Sequence, residues 1–105
     1  MREGKGTTWE GGFRVPGIFW GGKIKPGVIN DVGSTLDLFP TILSLSESKL
    51  DDKKTIDGFN IKETLFYGEP SQRDVIFYYR NREIFAIRYG KYKACLLYTS
   101  DAADE

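Results

Sequence analysis

Between Phe13 and Trp20 the apolar positions run almost unbroken, in β-branched and aromatic residues. Such a run predicts a buried strand. Pro16 has no N–H to give to a ladder, so the first half of that strand belongs at an edge or entry position. Gly21-Gly22 ends it. Lys25-Pro26-Gly27 reads as a turn, with proline setting φ and glycine taking φ > 0. Val28 to Val32 reads as a short extended piece. From Leu36 the period changes. Leu38, Phe39, Ile42, Leu43 and Leu45 recur at helical spacing and predict an amphipathic helix over 36–45 with one apolar side. Asp37 is read as its N-cap, which puts Pro40 in the first turn where a missing N–H costs nothing. Ser34 starting an earlier turn is the alternative. Residues 46–55 are polar and charge-rich, a loop. Ile56-Asp57-Gly58-Phe59-Asn60-Ile61 returns to the core, and Ile61 to Tyr67 reads as a short helix closed by Gly68. Val75-Ile76-Phe77-Tyr78-Tyr79 and Ile84-Phe85-Ala86-Ile87-Arg88-Tyr89 predict antiparallel strands on either side of Arg80–Glu83. Tyr89-Gly90-Lys91-Tyr92 is a second turn that leads into a further strand.

Composition narrows the function classes. With 40% apolar residues the chain can fold, but a chain this short buries only about two-thirds of its surface and folds marginally. No apolar run approaches the ~20 residues of a spanning helix. Met1-Arg2-Glu3 leads directly into a glycine-rich stretch, so no signal peptide is visible. Histidine is absent, which removes the commonest general base and metal ligand. An enzyme made of these residues alone would depend on carboxylates, lysine or tyrosine, and an incomplete enzyme is the simpler reading.

The last eleven residues, Cys95-Leu96-Leu97-Tyr98-Thr99-Ser100-Asp101-Ala102-Ala103-Asp104-Glu105, look like the translation of a transposase-type sequencing adapter. They are set aside as a scar; a natural acidic tail is the alternative. Setting them aside removes the one cysteine, and with it any disulfide, zinc site or thiol nucleophile. It also removes three acids from a balance of fifteen bases and fifteen acids, leaving +3 over residues 1–94. That charge is too small, and the lysines too scattered, to imply nucleic acid.

The most informative segment is Gly4-Lys5-Gly6-Thr7-Thr8-Trp9-Glu10-Gly11-Gly12-Phe13-Arg14-Val15-Pro16. It holds four glycines in thirteen residues, more than a helix or plain strand would use. Glycine at this density means sharp turns or close approach, and a lysine between two of them can meet an anion in a tight pocket. The segment closely resembles the G-K-G-T-T-x-E-G-G-x-R-x-P run of the sulfatase family, in its arylsulfatase branch. Ile24-Lys25-Pro26-Gly27, Ser34-Thr35-Leu36-Asp37-Leu38-Phe39-Pro40-Thr41, Ile56-Asp57-Gly58-Phe59-Asn60-Ile61, Arg73-Asp74 with Phe77-Tyr78-Tyr79, and Ile87 to Ala94 resemble further elements of that family in the same order. Within it, the likeness is to the arylsulfatase A and N-acetylgalactosamine-6-sulfatase group.

The resemblance implies an α/β parent with an alkaline-phosphatase-like fold. Of that fold, these residues would supply one strand of the large sheet, a helix, and a small C-terminal antiparallel sheet. Residues 1–45 would be the C-terminal part of the large domain and 46–94 a linker and the small subdomain, with 95–105 the adapter. The implied activity is hydrolysis of sulfate esters, sulfated carbohydrates among the candidates. Lys5 would be the catalytic, sulfate-binding lysine. The family's nucleophile is a formylglycine made from a C/S-x-P-S/A-x-R motif, and its metal, usually calcium, is held by Asp and Asn residues. Neither is found in this sequence, so a C-terminal fragment, inactive alone, is expected. The compartment implied is secreted, periplasmic or lysosomal.

Other residues read more plainly. Glu10 and Arg14 read as a structural ion pair holding the loop rather than as an acid/base couple. Trp9 and Trp20 read as core, Tyr78, Tyr79 and Tyr92 as cover for the sheet, and Lys91 and Lys93 as a solvated hairpin edge rather than a surface for an anionic substrate. Two other functions remain open: a small β-rich module binding sulfated carbohydrate through Lys5, Trp9 and Trp20, and a fragment of a related phosphatase or phosphonate hydrolase.

Overall fold

A computed structural model describes residues 2–96. The chain divides into two compact units, one made of the segment up to Gly17 together with the segment from Asp74 onward, the other of Ile18–Arg73.

In the first unit a single turn of helix, α1 (Glu10–Phe13), accompanies a three-stranded antiparallel sheet of β1 (Val75–Arg80), β2 (Glu83–Tyr89) and β3 (Tyr92–Cys95), in the order β1-β2-β3. Both connections are two-residue turns, the shortest that antiparallel strands allow. Asn81 carries the first with φ 56° and Gly90 the second with φ 54°. The strands therefore stand where the sequence predicts them. Tyr78 pairs with Ala86 and Tyr79 with Ile84, so Phe85 is the extra residue of a bulge in β2. Cys95 pairs with Ala86, and the Leu96 N–H donates to the Phe85 carbonyl at 2.7 Å. Main-chain pairing is tolerant of side chains, so these two residues continue the ladder whatever their origin. The rest of the expected adapter lies outside the described residues.

In the second unit a 3-10 turn (Thr35–Asp37) runs into α2 (Leu38–Leu45), and α3 (Lys62–Tyr67) follows after the polar loop. Gly68 closes α3 in the left-handed conformation, φ 69°. Ser34, not Asp37, is the N-cap. The Ser34 hydroxyl accepts from the Leu36 N–H, and the Asp37 carboxylate accepts from the Ser34 N–H at 2.8 Å, a capping box in which Asp37 is the third residue. The earlier start wins because Asp37 satisfies the helix from inside its first turn while serving other partners.

Two expectations of burial fail, both for want of a neighbour. The segment from Phe13 to Trp20 forms no strand: Phe13 ends α1, and residues 14–20 join no ladder, with Ile18 91% and Trp20 95% exposed. A strand needs partners for its N–H and C=O groups, and no described residue supplies them, so the expected strand of a large sheet is absent here. The apolar stripe of α2 exists, but Leu38, Phe39, Ile42 and Leu45 are exposed. The buried residues at this helix are Asp37 and Thr41. Thr41 Oγ1 donates to the Asp37 carbonyl at 2.6 Å and accepts from the Ile61 N–H at 3.0 Å. Among the described residues the buried apolar set is Ile61, Tyr78 and Ala86, and the largest fully buried side chain is the Asp37 carboxylate.

Candidate functional site

The Gly4–Pro16 segment begins with a tight turn. The Thr7 N–H and Thr7 Oγ1 both donate to the Gly4 carbonyl, at 3.3 and 2.9 Å. Gly6, at φ 91°, takes the corner that glycine suits best. Lys5 therefore stands at the apex. It is exposed, and among the described residues its ammonium has no ion partner.

The turn is backed by α1. The Gly11 N–H donates to the Arg2 carbonyl at 2.9 Å. A Cβ on Gly12 would collide with the Gly4 carbonyl, and with the Thr7 carbonyl and hydroxyl. One on Gly11 would collide with the carbonyls of Arg2 and Glu3. The double glycine is thus a landing for the backbone on either side of Lys5, a close approach that any side chain would prevent.

α1 is in turn fixed to the sheet through Glu10. The two-residue turn at Gly90-Lys91 sets Arg88 opposite Lys93, and the alternation of a strand puts Tyr78 on that same face. Glu10 Oε1 accepts from Arg88 Nη2 at 2.8 Å, from Lys93 Nζ at 3.1 Å and from the Tyr78 hydroxyl at 3.1 Å. Arg88 Nε also donates to the Tyr78 oxygen at 3.1 Å. Lys93 Nζ donates to the Thr8 carbonyl at 2.7 Å and lies 3.9 Å from the centre of the Tyr78 ring, while Phe13 packs on that ring at 4.5 Å. Burial alone would raise the Glu10 pKa. The hydrogen bonds from Arg88, Lys93 and Tyr78 together outweigh it and hold the carboxyl at about 2. Burial, opposed by the bond from Arg88 and aided by the Glu10 charge, raises the Tyr78 hydroxyl, while its bonds to Tyr78 and Glu10 raise Arg88.

The Glu10–Arg14 ion pair that the sequence reading expects is present but loose: Arg14 Nη1 stands 4.0 Å from Glu10 Oε2 with its side chain mostly exposed. Arg88 and Lys93 hold the other carboxylate oxygen more closely, at 2.8 and 3.1 Å. Lys93 is accordingly not a solvated edge, with only 13% of its side chain exposed. A signal for this was present in the sequence: two cations directly opposite on one face repel each other and call for an anion between them. Trp9 has the Arg2 guanidinium over its ring at 4.5 Å. Trp20, expected in the core, is exposed and lines a shallow cleft with Phe19, Ile24, Lys25 and Pro26.

A second cluster, in the other unit, is centred on Asp37. Arg73 grips its carboxylate through Nε at 3.2 and 3.0 Å and through Nη2 at 2.6 Å, and the Phe59 N–H donates to it at 2.8 Å. Burial would raise this pKa too, but the Arg73, Phe59 and Ser34 hydrogen bonds lower it. Every buried polar side-chain atom among the described residues has a partner. The cluster is closed and offers no ligand site.

Comparison with known proteins decides the family. The chain is 44% identical to arylsulfatase A of Homo sapiens over 90% of its own length, 39% identical to an arylsulfatase of Hemicentrotus pulcherrimus over 90%, and 44% identical to N-acetylgalactosamine-6-sulfatase of Mus musculus over 89%. The chain carries a sulfatase-family segment. It spans about a fifth of the length of these relatives: 20%, 17% and 18% of each. No protein-family model matches the chain. Among the described residues no three carboxylate, cysteine or histidine side chains gather to hold a metal. No helix among them is long and apolar enough to cross a membrane.

Proposed function

We propose that the chain is a segment of an arylsulfatase-like sulfuric ester hydrolase, and that Lys5 is its contribution to the reacting centre. The observation that carries this reading is the apex position of Lys5. Among the described residues its ammonium has no ion partner, and it stands on a turn whose backbone is braced from behind, in a chain whose named relatives are all sulfatases. When a sulfate ester is cleaved, negative charge builds on the leaving oxygen. A fixed cation that meets the sulfate oxygens stabilises that charge without having to reorganise. On this reading residues 1–45 belong to the large domain of the parent, 46–94 form a linker and small subdomain, and 95–105 derive from the adapter. The C/S-x-P-S/A-x-R motif does not occur in the sequence, so the chain by itself is expected to be inactive. The substrate class is a sulfate ester, sulfated carbohydrate included, and the compartment secreted, periplasmic or lysosomal.

The test is Lys5→Ala in a full-length enzyme carrying these residues, with formylglycine and metal content verified. It should lower kcat/KM by roughly 10²–10⁴-fold, the scale for removing one preorganised charge or donor. Lys5→Arg should rescue poorly, because a planar fork does not replace a point charge. Near-parental kcat/KM in Lys5→Ala would return Lys5 to an ordinary loop lysine.

A further inference from the structure

We propose that Glu10, gripped by Arg88 and Lys93, is a positioning residue for Lys5, so that the small antiparallel sheet sets where the Lys5 ammonium stands. This rests on the reading of Lys5 as the sulfate-binding cation.

A continuous path of contacts leads from sheet to lysine. Arg88 and Lys93 form a cross-strand pair of like charges, which would repel without an anion between them. Glu10 Oε1 is that anion, within 2.8 Å of Arg88 Nη2 and 3.1 Å of Lys93 Nζ. Glu10 is the first residue of α1, and the next two are the glycines on which the Lys5 turn rests. Lys93 adds a second tie by donating to the Thr8 carbonyl at 2.7 Å, one residue beyond the end of the turn. The Phe13 ring on Tyr78 holds the far end of α1. A one-turn helix cannot keep its own geometry, so these ties, rather than the helix, fix the landing for the turn. Lys5, with a long stem and no ion partner among the described residues, takes its position from that landing.

Glu10 sits five residues from Lys5 and could matter only by supporting the fold. A double-mutant cycle separates the two roles, using Lys5→Ala, Glu10→Gln and the double variant in the full-length enzyme. Glu10→Gln alone should lower kcat/KM by roughly 10–100-fold, mostly in kcat, the effect of a misplacement on the order of 1 Å. In the double variant the Glu10 change should add little beyond Lys5→Ala, because the group it positions has gone. In the chain of 105 residues, Glu10→Gln should also speed amide exchange at Gly11, Gly12 and Arg14, whose N–H groups are bonded within this segment, while leaving the β1–β2 amides protected. If Glu10→Gln fails to fold, Lys93→Gln, which removes the Thr8 tie, takes its place in the cycle, and Lys93→Arg should restore part of the rate. If the factors multiply in the double variant, Glu10 acts independently of Lys5 and the proposal is overturned while the Lys5 reading stands. If Lys5→Ala is near-parental, the Lys5 reading fails and the proposal falls with it.

Discussion

Replacing Asp37 by alanine should be the most damaging single change in the Ile18–Arg73 unit. Its side chain is 0% exposed and accepts five hydrogen bonds, from the N–H groups of Ser34 and Phe59 and three times from Arg73. It thereby joins the start of the helix, the returning chain at Phe59 and the arginine 36 residues on. Alanine would leave two backbone donors without acceptors and a guanidinium, 10% exposed, without its anion. Breaking a buried pair from one side costs about 3–5 kcal/mol. A domain of this size holds only about 5–15 kcal/mol in all. At about 4–8 °C per kcal/mol, Tm should fall by at least ~12 °C. Arg73→Lys keeps the charge but loses the fork and the bond to the Asp57 carbonyl, so it should cost less than Asp37→Ala. Ser34→Ala loses only the hydroxyl cap on Leu36, about 1 kcal/mol. The double variant Asp37→Ala/Arg73→Ala should cost less than the sum of its singles, because the second change removes the stranded charge. Thermal unfolding for Tm and urea unfolding for the free energies, both followed by circular dichroism at pH 7, with amide exchange at Phe59 as a local probe, measure all of these. If Asp37→Ala is no worse than Ser34→Ala, or the double variant costs the full sum, the cluster does not hold this unit together.

Acid should loosen both clusters. The Glu10 pKa falls from 4.5 to about 2 on folding, so its contribution is complete above pH ~4.5 and is lost as the pH falls toward 2, with Asp37 lowered in the same sense. Unfolding free energy measured from pH 7 to 2.5 should drop over that window and drop less in Glu10→Gln, whereas a flat profile would contradict the assignment. The purified chain should show no turnover of a chromogenic aryl sulfate, and activity that survives repurification would mean the chemistry lies within these residues. Gly12→Ala should destabilise by about 1–3 kcal/mol, the cost of overpacking, and expose the Lys5 peptide bond to trypsin faster than in the parent; unchanged cleavage would show that the turn does not rest on Gly12.

What could be read in the sequence was what is decided locally. Two-residue turns at Asn81-Arg82 and Gly90-Lys91 define two hairpins, and a reader needs only a few neighbouring residues to find them. Gly68 closes α3 for the same kind of reason. The Ser34–Asp37 box is half legible: the sequence offers Ser34 as an alternative start, but Asp37 looks like a cap because its other partners, Phe59 and Arg73, lie far along the chain. The ion clusters were not legible as pairs. Glu10 meets Arg88 across 78 residues, and Asp37 meets Arg73 across 36, distances at which a sequence offers several equivalent cations. Only the Arg88–Lys93 register was open to inference, because the turn between them fixes it.

The burial expectations failed in one direction, and the reason is a difference in range between two kinds of interaction. A carboxylate is satisfied by a handful of donors at hydrogen-bond distance, and three residues can provide them. Asp37 is complete with Ser34, Phe59 and Arg73, and Glu10 with Arg88, Lys93 and Tyr78. An apolar stripe is covered only by another element laid along its length, and a strand is satisfied only by a neighbour of matching register. Leu38, Phe39 and Ile42 on α2, and Val15, Ile18 and Trp20 beyond α1, have no such neighbour among the described residues. An apolar pattern marks a surface but carries no information on what, if anything, covers it. A chain spanning about a fifth of its relatives' length can therefore complete its polar clusters from within while its apolar faces stay open.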